Sequence, residues 1–320
     1  MSVSIQCFRD GVLHPADLAD VPELLSSIAG FLWVDILGPE PDDISLMLDT
    51  LKLHPLAVDD TRNLQQRPKV EDYGDHTFII LNPVDATDSA VNFRELDVFV
   101  SERLLVTVHN GAEPVVEDLV DRLSRPGGAG ELTPGRVVHH LMDTIVDAYF
   151  PVLDGIIDAI EDLEDGFVAD PKAGRLQEVY RIKRTLLDMQ RVLSAQRDMF
   201  GVLTREDVSL FDDPTLRFYV RDVYDHVLRL GDQVTMAREM VSTLVELYLS
   251  ATSNRLNEVV NRLTVITLLI GVVTVVTGFY GMNFTHLWPL EAEWGVPFAL
   301  GVMLASGVGL LAGLRRLGWW

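Results

Sequence analysis

The sequence is poor in cysteine and in basic residues. Cys7 is the only cysteine among 320 residues, which excludes a disulfide framework and a zinc centre built from several thiolates. Lysine and arginine together number 26 against 48 aspartates and glutamates, so the formal net charge is −22. An excess of this sign repels nucleic acid and attracts cations. We therefore expect cations as partners and no nucleic acid.

The sequence also lacks a recognisable catalytic constellation. The glycine run at 126–130 is not followed by the Lys-Ser/Thr of a phosphate-binding loop, and no nucleophile is spaced with a base. The acid-rich stretch 154–170 does not fit a calcium loop, because Leu163 stands where an oxygen ligand is needed before Gly166. His139 and Asp143 are four residues apart but have no third ligand at a matching spacing. We expect a protein that is not an enzyme.

Charge is absent from two long apolar stretches near the C-terminus. The first, 263–280, would be roughly 27 Å long as a helix, close to the hydrocarbon thickness of a bilayer. The second, 296–314, is about as long and is followed at once by Arg315 and Arg316. A soluble helix of this length would normally carry a charged face. The sequence predicts a transmembrane hairpin in a lipid bilayer.

The rest of the chain predicts an α+β protein with an N-terminal cytosolic α/β domain at 1–125. We expect strands at 3–8, 31–36, 78–81, 96–100 and 104–108, the last two as a hairpin, and a helix over 42–53. A helical region and stalk follow at 136–262. One continuous helix over 215–280 would be roughly 100 Å long and would enter the membrane. The remaining boundaries are a first transmembrane helix at 263–283, an outer loop at 284–295, a second transmembrane helix at 296–314 and a tail at 315–320.

The distribution of arginine predicts the orientation. Arg255 and Arg262 precede the first span and Arg315 and Arg316 follow the second, whereas the loop between them contains no lysine or arginine. No basic segment followed by an apolar run opens the chain. The positive-inside rule then predicts that both termini are cytoplasmic in a multi-pass protein of the cell membrane.

A series of mostly polar and small residues, which we call the seam, recurs on one face of the long predicted helix. Its members are Glu246, Ser250, Ser253, Asn257, Val260, Thr264, Thr267, Gly271, Thr274, Gly278 and Gly281. The steps alternate between four and three, the period of a helix supercoiled against partners. The series would serve either close helix packing or a water-accessible lining that offers oxygen atoms to a cation. Glu246 and Asn257 favour the lining, because neither side chain shortens the approach of two helices.

A lining of this kind requires an oligomer, because two spans cannot enclose a pore. In an oligomer Glu246 becomes a ring of carboxylates at the cytoplasmic end. Val260 and Leu263, the latter just off the seam, would form an apolar constriction that gates by dewetting.

The seam ends in Tyr280-Gly281-Met282-Asn283 followed by Phe284, and this run resembles the signature of the CorA-type divalent-cation channels. Stretches at 33–36, 53–56 and 66–71 are similar to the cytosolic domain of that family. The resemblance implies a homopentamer whose first span lines the pore, with Tyr280, Gly281, Met282 and Asn283 at the pore entrance. It implies Mg²⁺ as both the transported and the regulatory ion, with Co²⁺, Ni²⁺ or Zn²⁺ as further candidates.

The stretch 218–226 resembles a family segment that holds regulatory cations between subunits. Asp222 matches the family aspartate, and its partner is Asp85 or Asp88, an alternative that the sequence leaves open. Cytosolic Mg²⁺ bound there would close the channel; a surface salt bridge of Asp222 with Arg221 or Arg229 is the other interpretation. Two functional alternatives also stand: a proton-coupled zinc transporter of the same superfamily, and a membrane-anchored cation sensor that does not conduct.

Overall fold

The computed structural model describes residues 3–27, 30–63, 66–87, 90–125, 132–169, 173–205, 214–282, 289, 293–316 and 318. The chain divides into two compact units. Met1–Leu163 with Ala173–Leu244 form unit 1, and Glu164–Lys172 with Val245–Trp320 form unit 2.

Unit 1 contains a mixed seven-stranded sheet with the strand order β2-β1-β3-β9-β8-β5-β4. β3 and β9 run parallel, and every other neighbouring pair in this sheet is antiparallel. β6 and β7 form a separate two-stranded hairpin. The strands are β1 (Val3–Arg9), β2 (Val12–Pro15), β3 (Phe31–Leu37), β4 (Lys69–Asp72), β5 (Thr77–Leu81), β6 (Val84–Thr87), β7 (Ala90–Phe93), β8 (Leu96–Val100) and β9 (Leu104–His109).

The predicted strands are all present. The predicted hairpin at 96–108 is confirmed by the antiparallel pairing of β8 with β9, in which Val100 faces Leu105. These two strands are continuous buried runs because they occupy the middle of the sheet. The four strands that the sequence did not predict, β2, β4, β6 and β7, are only four residues long, and β4 contains three charged residues.

One helix prediction is wrong in its extent. The segment expected as a single helix over 42–53 is a short helix, α2 (Pro41–Ser45), continued by a π-helical turn at Leu46–Thr50. Lys52 has a φ of 58°, a left-handed conformation that cannot continue a right-handed helix. Leu51 and Leu53 are nevertheless buried in the core, so the apolar spacing of the sequence continues past the point where the helical hydrogen bonding ends.

Helices make up most of the described chain outside these strands. Besides α2 they are α1 (Val21–Ser27), α3 (Pro55–Asp60), α4 (Pro114–Leu123), α5 (Pro134–Asp147), α6 (Tyr149–Ala169), α7 (Ala173–Leu203), α8 (Pro214–Tyr280) and α9 (Gly295–Arg316), with a 3-10 turn at Leu18–Asp20. α8 is continuous over 67 residues, as predicted. α8 and α9 are the two helices in the described part of the chain that are long and apolar enough to cross a membrane.

Candidate ion pathway

The cytosolic half of α8 has one fully buried face. Its residues, which we call the core stripe, are all at most 3% exposed: Leu216, Val220, Val223, Val227, Leu230, Val234, Ala237, Val241 and Leu244. Their spacing alternates between four and three residues, so this stripe has the same period as the seam. Each seam position is offset by two residues from the core stripe, which places the two faces about 160° apart on a helix of 100° per residue.

Within unit 1, the face of α8 opposite the core stripe is exposed. Continued toward the N-terminus in the same three- and four-residue steps, the seam passes through a run of residues that are all exposed: Asp222, Asp225, Arg229, Asp232, Met236, Glu239 and Thr243. Four of these seven are acidic and one is basic, so this part of α8 attracts cations. Asp222, selected from the sequence for a different reason, lies on the same face as the seam.

Within unit 2 the packing of α8 against α9 leaves the seam free. Val265 is 5% exposed, and Leu269, Val272 and Val276 are half-buried on the same side of α8. A Cβ atom built on Gly307 of α9 would lie 3.8 Å from the Leu269 Cδ2, which identifies this side as the α9 contact. It lies about 150° from the seam.

Seam residues in the apolar part of α8 are mostly exposed. Thr264 and Gly271 are half-buried, whereas Val260, Thr267, Thr274, Gly278 and Gly281 are exposed, as is Leu263 just off the seam. Ser250, Ser253 and Asn257 are exposed as well. One chain alone therefore leaves this face of α8 without a protein partner along almost its whole length, within the residues that the structure describes.

The threonine hydroxyls of the seam have a fixed orientation. Thr264 Oγ1 donates to the Val260 carbonyl, Thr267 Oγ1 to the Leu263 carbonyl and Thr274 Oγ1 to the Ile270 carbonyl, each at 2.8 Å. A hydroxyl has a single proton, and here that proton is engaged by the backbone four residues earlier. The lone pairs of each oxygen remain available, so the three hydroxyls can act as acceptors toward a cation or its hydration water.

The C-terminal end of α8 depends on a glycine. The Gly281 amide donates to the Thr277 carbonyl at 2.8 Å, and the Met282 amide follows with a 3.4 Å bond to the Phe279 carbonyl. A Cβ atom at Gly281 would lie 2.9 Å from the Thr277 carbonyl oxygen, a contact that real side chains essentially never make. Tyr280 packs edge-to-face on Phe279 with ring centroids 5.4 Å apart. Asn283, the residue predicted to present its amide at the pore entrance, lies outside the described residues.

The predicted regulatory acids have different surroundings within one chain. Asp222 lines a cavity of about 560 Å³ together with His139, Asp143 and Tyr219. Burial lowers the pKa of His139, an effect that outweighs the opposing charges of Asp143 and Asp222. Asp85 is exposed on β6, where it faces Asn92 of β7 and lies close enough to Glu113 to raise the pKa of that carboxyl alongside burial. Asp88 lies outside the described residues.

The structure brings together a group of ligating side chains that the sequence did not reveal. Asp143 and Asp147 of α5 and His226 of α8 each offer a ligand atom, and these atoms lie within 4.8 Å of one another. His226 Nδ1 is 3.0 Å from Asp147 Oδ1. The spacing of Asp143 and Asp147 places both on one face of α5, but the histidine comes from a helix 79 residues away in sequence. No local pattern could have indicated it.

Comparison with known proteins identifies the relatives of this chain. The family model described as CorA-like Mg²⁺ transporter protein matches residues 29–316. YfjQ of Bacillus subtilis is 29% identical over 306 residues, covering 95% of this chain and 93% of that protein. The cobalt/magnesium transport protein CorA of Thermotoga maritima is 28% identical over 323 residues, covering 100% and 91%. A more distant relative, the zinc transport protein ZntB of Yersinia enterocolitica, is 20% identical and covers 82% and 80%.

Solved structures show the same fold. The complete structure of the CorA magnesium transporter from Methanocaldococcus jannaschii superimposes with a TM-score of 0.85 at 21% identity, covering 100% of this chain and 99% of that one. The N-terminal α/β sheet domain, the long helix α8 and the C-terminal helix α9 are therefore one known architecture, as the resemblance at 280–284 implied. Members of the matching family are membrane transporters of ions and not enzymes. The chain belongs to the CorA-like Mg²⁺ transporter family.

Proposed function

We propose that this chain is one subunit of a channel that admits Mg²⁺ into the cell, with the seam of α8 as the lining. The observation that carries the proposal is the mostly exposed face of α8, whose members from Asp222 to Gly281 lie away from the core stripe in unit 1 and from the α9 contact in unit 2. A helix that buries one face and leaves the opposite one polar and unpaired needs other copies around a common axis. The family resemblance makes five copies the expected number.

The topology follows the charge pattern. Both termini are cytoplasmic, the first transmembrane helix occupies 263–283, the loop 284–295 lies outside, and the second helix occupies 296–314. The tail at 315–320 returns to the cytoplasm with Arg315 and Arg316. The acidic extension of the seam then lies on the cytoplasmic side, where it attracts cations leaving the pore.

The chemistry of the lining suits a hydrated hard cation. Magnesium gives up its water reluctantly and prefers oxygen ligands, and the seam from Glu246 to Gly281 offers hydroxyl, carbonyl, amide and carboxylate oxygens with no sulfur or imidazole. Asn283 and Gly281 form the entrance. Val260 and Leu263 form the apolar constriction, and Glu246 follows as a carboxylate ring.

Cytosolic Mg²⁺ closes the channel by binding Asp222 together with Asp85 or Asp88 of a neighbouring chain. Support comes from the exposure of Asp222 and Asp85, which leaves both carboxylates free for contact with another subunit. When internal Mg²⁺ is lost, the carboxylates of neighbouring subunits repel one another, and the subunits can move. Asp222→Asn should leave Mg²⁺ uptake intact while weakening its closure by internal Mg²⁺; unchanged closure would refute this site.

Proteoliposome uptake tests the function. Purified full-length protein should admit Mg²⁺ down its gradient, Asn283→Ala should abolish the uptake, and Asn254→Ala should preserve it. Asn254 is a suitable control because it is exposed on α8 but lies off the seam. Intact oligomers that pass no cation would instead establish the sensor, and would overturn the proposal.

A proton-coupled zinc transporter is the second candidate, favoured by the relationship to ZntB. The same vesicles separate the two functions. Zn²⁺ uptake that depends on an imposed pH gradient and exceeds Mg²⁺ uptake would establish the zinc transporter. Mg²⁺ uptake that is indifferent to the pH gradient supports the channel.

A further inference from the structure

A large cavity in unit 1, remote in sequence from the seam, has an unusual charge. It has a volume of about 920 Å³ and lies between one face of α7 and the region of the β6–β7 hairpin and the segment after β9. Five arginines line it: Arg67, Arg94, Arg181, Arg184 and Arg191. Three carboxylates oppose them, from Glu95, Glu113 and Asp188. The lining is therefore net positive in a chain whose net charge is −22. We call it the arginine cavity.

The arginines of α7 reach the cavity because of their spacing. Arg181, Arg184, Asp188 and Arg191 follow one another at three- and four-residue intervals, so they share one helix face. The ion pairs of this face, Arg181 with Glu178 at 3.3 Å and Arg191 with Asp188 at 3.1 Å, join exposed side chains three residues apart. Pairs of this kind bind weakly and are easily exchanged for another anion.

Several polar groups of the cavity have no partner in the described part of the chain. Arg184 and Arg67 are exposed, so their guanidinium groups are accessible to an anion from solution. Arg94 donates to the Ala112 carbonyl and to Glu113, yet its Nε is buried without a partner. The Asn82 Oδ1 is likewise buried and unpartnered, while its Nδ2 donates to the Arg94 carbonyl. Buried polar atoms without partners are costly, so they indicate a missing ligand or water at this wall.

The cavity also has an apolar component. Val91, Phe93 and Val192 contribute to the lining beside the arginines. A volume near 920 Å³ falls within the range of about 300–1,000 Å³ that small organic ligands occupy, and a single phosphate would leave most of it empty. A ligand that fills the cavity therefore combines several negative charges with an apolar group that can pack on Phe93.

We propose that the arginine cavity binds a nucleoside polyphosphate such as ATP. The phosphates contact Arg184, Arg94 and Arg67, whose planar guanidinium groups donate two parallel hydrogen bonds to phosphate oxygens. The base packs against Phe93 and Val91. The ligand joins α7 to the β6–β7 hairpin, two parts of unit 1 that are distant in sequence. Binding at this cavity does not depend on which ion the seam conducts.

The test is equilibrium binding of ATP to the full-length protein in detergent, with EDTA present to remove divalent cations. We expect saturable binding of one ATP per chain. Arg184→Ala should weaken it about tenfold, the effect of losing one charge-assisted contact, while Arg197→Ala should not. Arg197 is a matched control because it is an exposed α7 arginine that pairs with the adjacent Asp198 and does not line the cavity.

A second comparison distinguishes the nucleotide from other phosphate sources. Phe93→Leu should weaken ATP and leave inorganic tripolyphosphate unaffected, and ATP should bind more tightly than tripolyphosphate. Equal affinity for both, with no effect of Phe93→Leu, would overturn the assignment of a nucleoside. The absence of saturable binding, or the same loss for Arg184→Ala and Arg197→Ala, would overturn the site itself.

Discussion

At the scale of single residues, threonine gives the apolar part of α8 its polarity at little cost. A hydroxyl in an apolar helix normally has to find a partner, and here the carbonyl four residues earlier supplies one. The same bond leaves only acceptor lone pairs on the outside. Thr277 bonds in the same way to the Val273 carbonyl at 2.9 Å, and also to the Thr274 carbonyl at 3.1 Å, but it lies just off the seam, about 60° from Thr274 and 100° from Gly278.

Thr274 on the seam and Thr277 off it allow a matched test of whether the seam lines the pore. Thr274→Val removes one hydrogen-bond acceptor from the seam of every subunit. It should lower Mg²⁺ uptake about fivefold, which corresponds to a loss of roughly 1 kcal/mol of stabilisation of the ion in the pore. Thr277→Val makes the same chemical change off the seam and should leave uptake near that of the wild type. Uptake by both variants is measured in proteoliposomes, and equal effects would argue against the seam as the lining.

Asp97 illustrates a different constraint on a single residue. It is 3% exposed in the central strand β8, where burial, together with the nearby Glu95 and Asp60, holds the pKa of its carboxyl well above the usual range. The folded state therefore retains a proton that the unfolded state loses above about pH 4. The contribution of Asp97 to stability is present at low pH and is lost as the pH rises toward its folded pKa.

Replacing Asp97 by asparagine should therefore remove the part of the pH dependence of folding stability that this carboxyl causes. Relative to Asp97→Asn, the wild type should lose stability as the pH rises from about 4, with a limiting slope of about 1.4 kcal/mol per pH unit. Thermal unfolding of both proteins between pH 4 and pH 7 measures the difference. Parallel curves would show that Asp97 is ionised in the folded protein.

At the scale of the helices, the end of α8 is determined by backbone contact. Gly281 follows the last helical residue, Tyr280, and lies so close to the Thr277 carbonyl that a side chain would displace it. Gly301 of α9 has open space around its Cα, with nothing within 4 Å of the position a Cβ would take.

Alanine at these two glycines should have opposite outcomes. Gly281→Ala must shift the helix end, at a cost of about 1–3 kcal/mol, and should lower both the melting temperature and Mg²⁺ uptake. Gly301→Ala should preserve both. Thermal unfolding in detergent and vesicle uptake are the measurements, and normal uptake by Gly281→Ala would show that the position of the residues after α8 does not matter.

Periodicity explains which elements the sequence could reveal. The core strands β8 and β9 and the whole of α8 were predictable because long apolar patterns dominate them. The π-helical turn at Leu46–Thr50 was not, because a change of hydrogen bonding leaves the apolar spacing almost intact. The seam was visible for the same reason as the helix, whereas the group of Asp143, Asp147 and His226 depends on tertiary packing.

At the scale of the whole molecule, a lining of α8 helices requires that seam residues of neighbouring chains approach one another. Asn257 lies on the seam, and Val259, two residues further, is exposed about 160° away. Cys7 is buried and burial raises its pKa, so an introduced cysteine would be the reactive thiol.

Oxidation of Asn257→Cys should link chains into disulfide-bonded dimers within the native oligomer, and Val259→Cys should remain monomeric on a denaturing gel. Light scattering of the detergent-solubilised protein, corrected for detergent, should give five times the chain mass of 35.7 kDa. Cross-linking at Val259 in preference to Asn257 would place a different face of α8 at the subunit contact.

The fixed threonine hydroxyls also bear on what else could pass along α8. Relay of a proton along side chains requires each hydroxyl to donate one proton while it accepts the next. Thr264, Thr267 and Thr274 all direct their protons into the backbone, so none can hand one to its neighbour without first breaking a 2.8 Å hydrogen bond. The side chains of this face therefore supply no proton relay of their own, and any proton that moves along α8 has to use water.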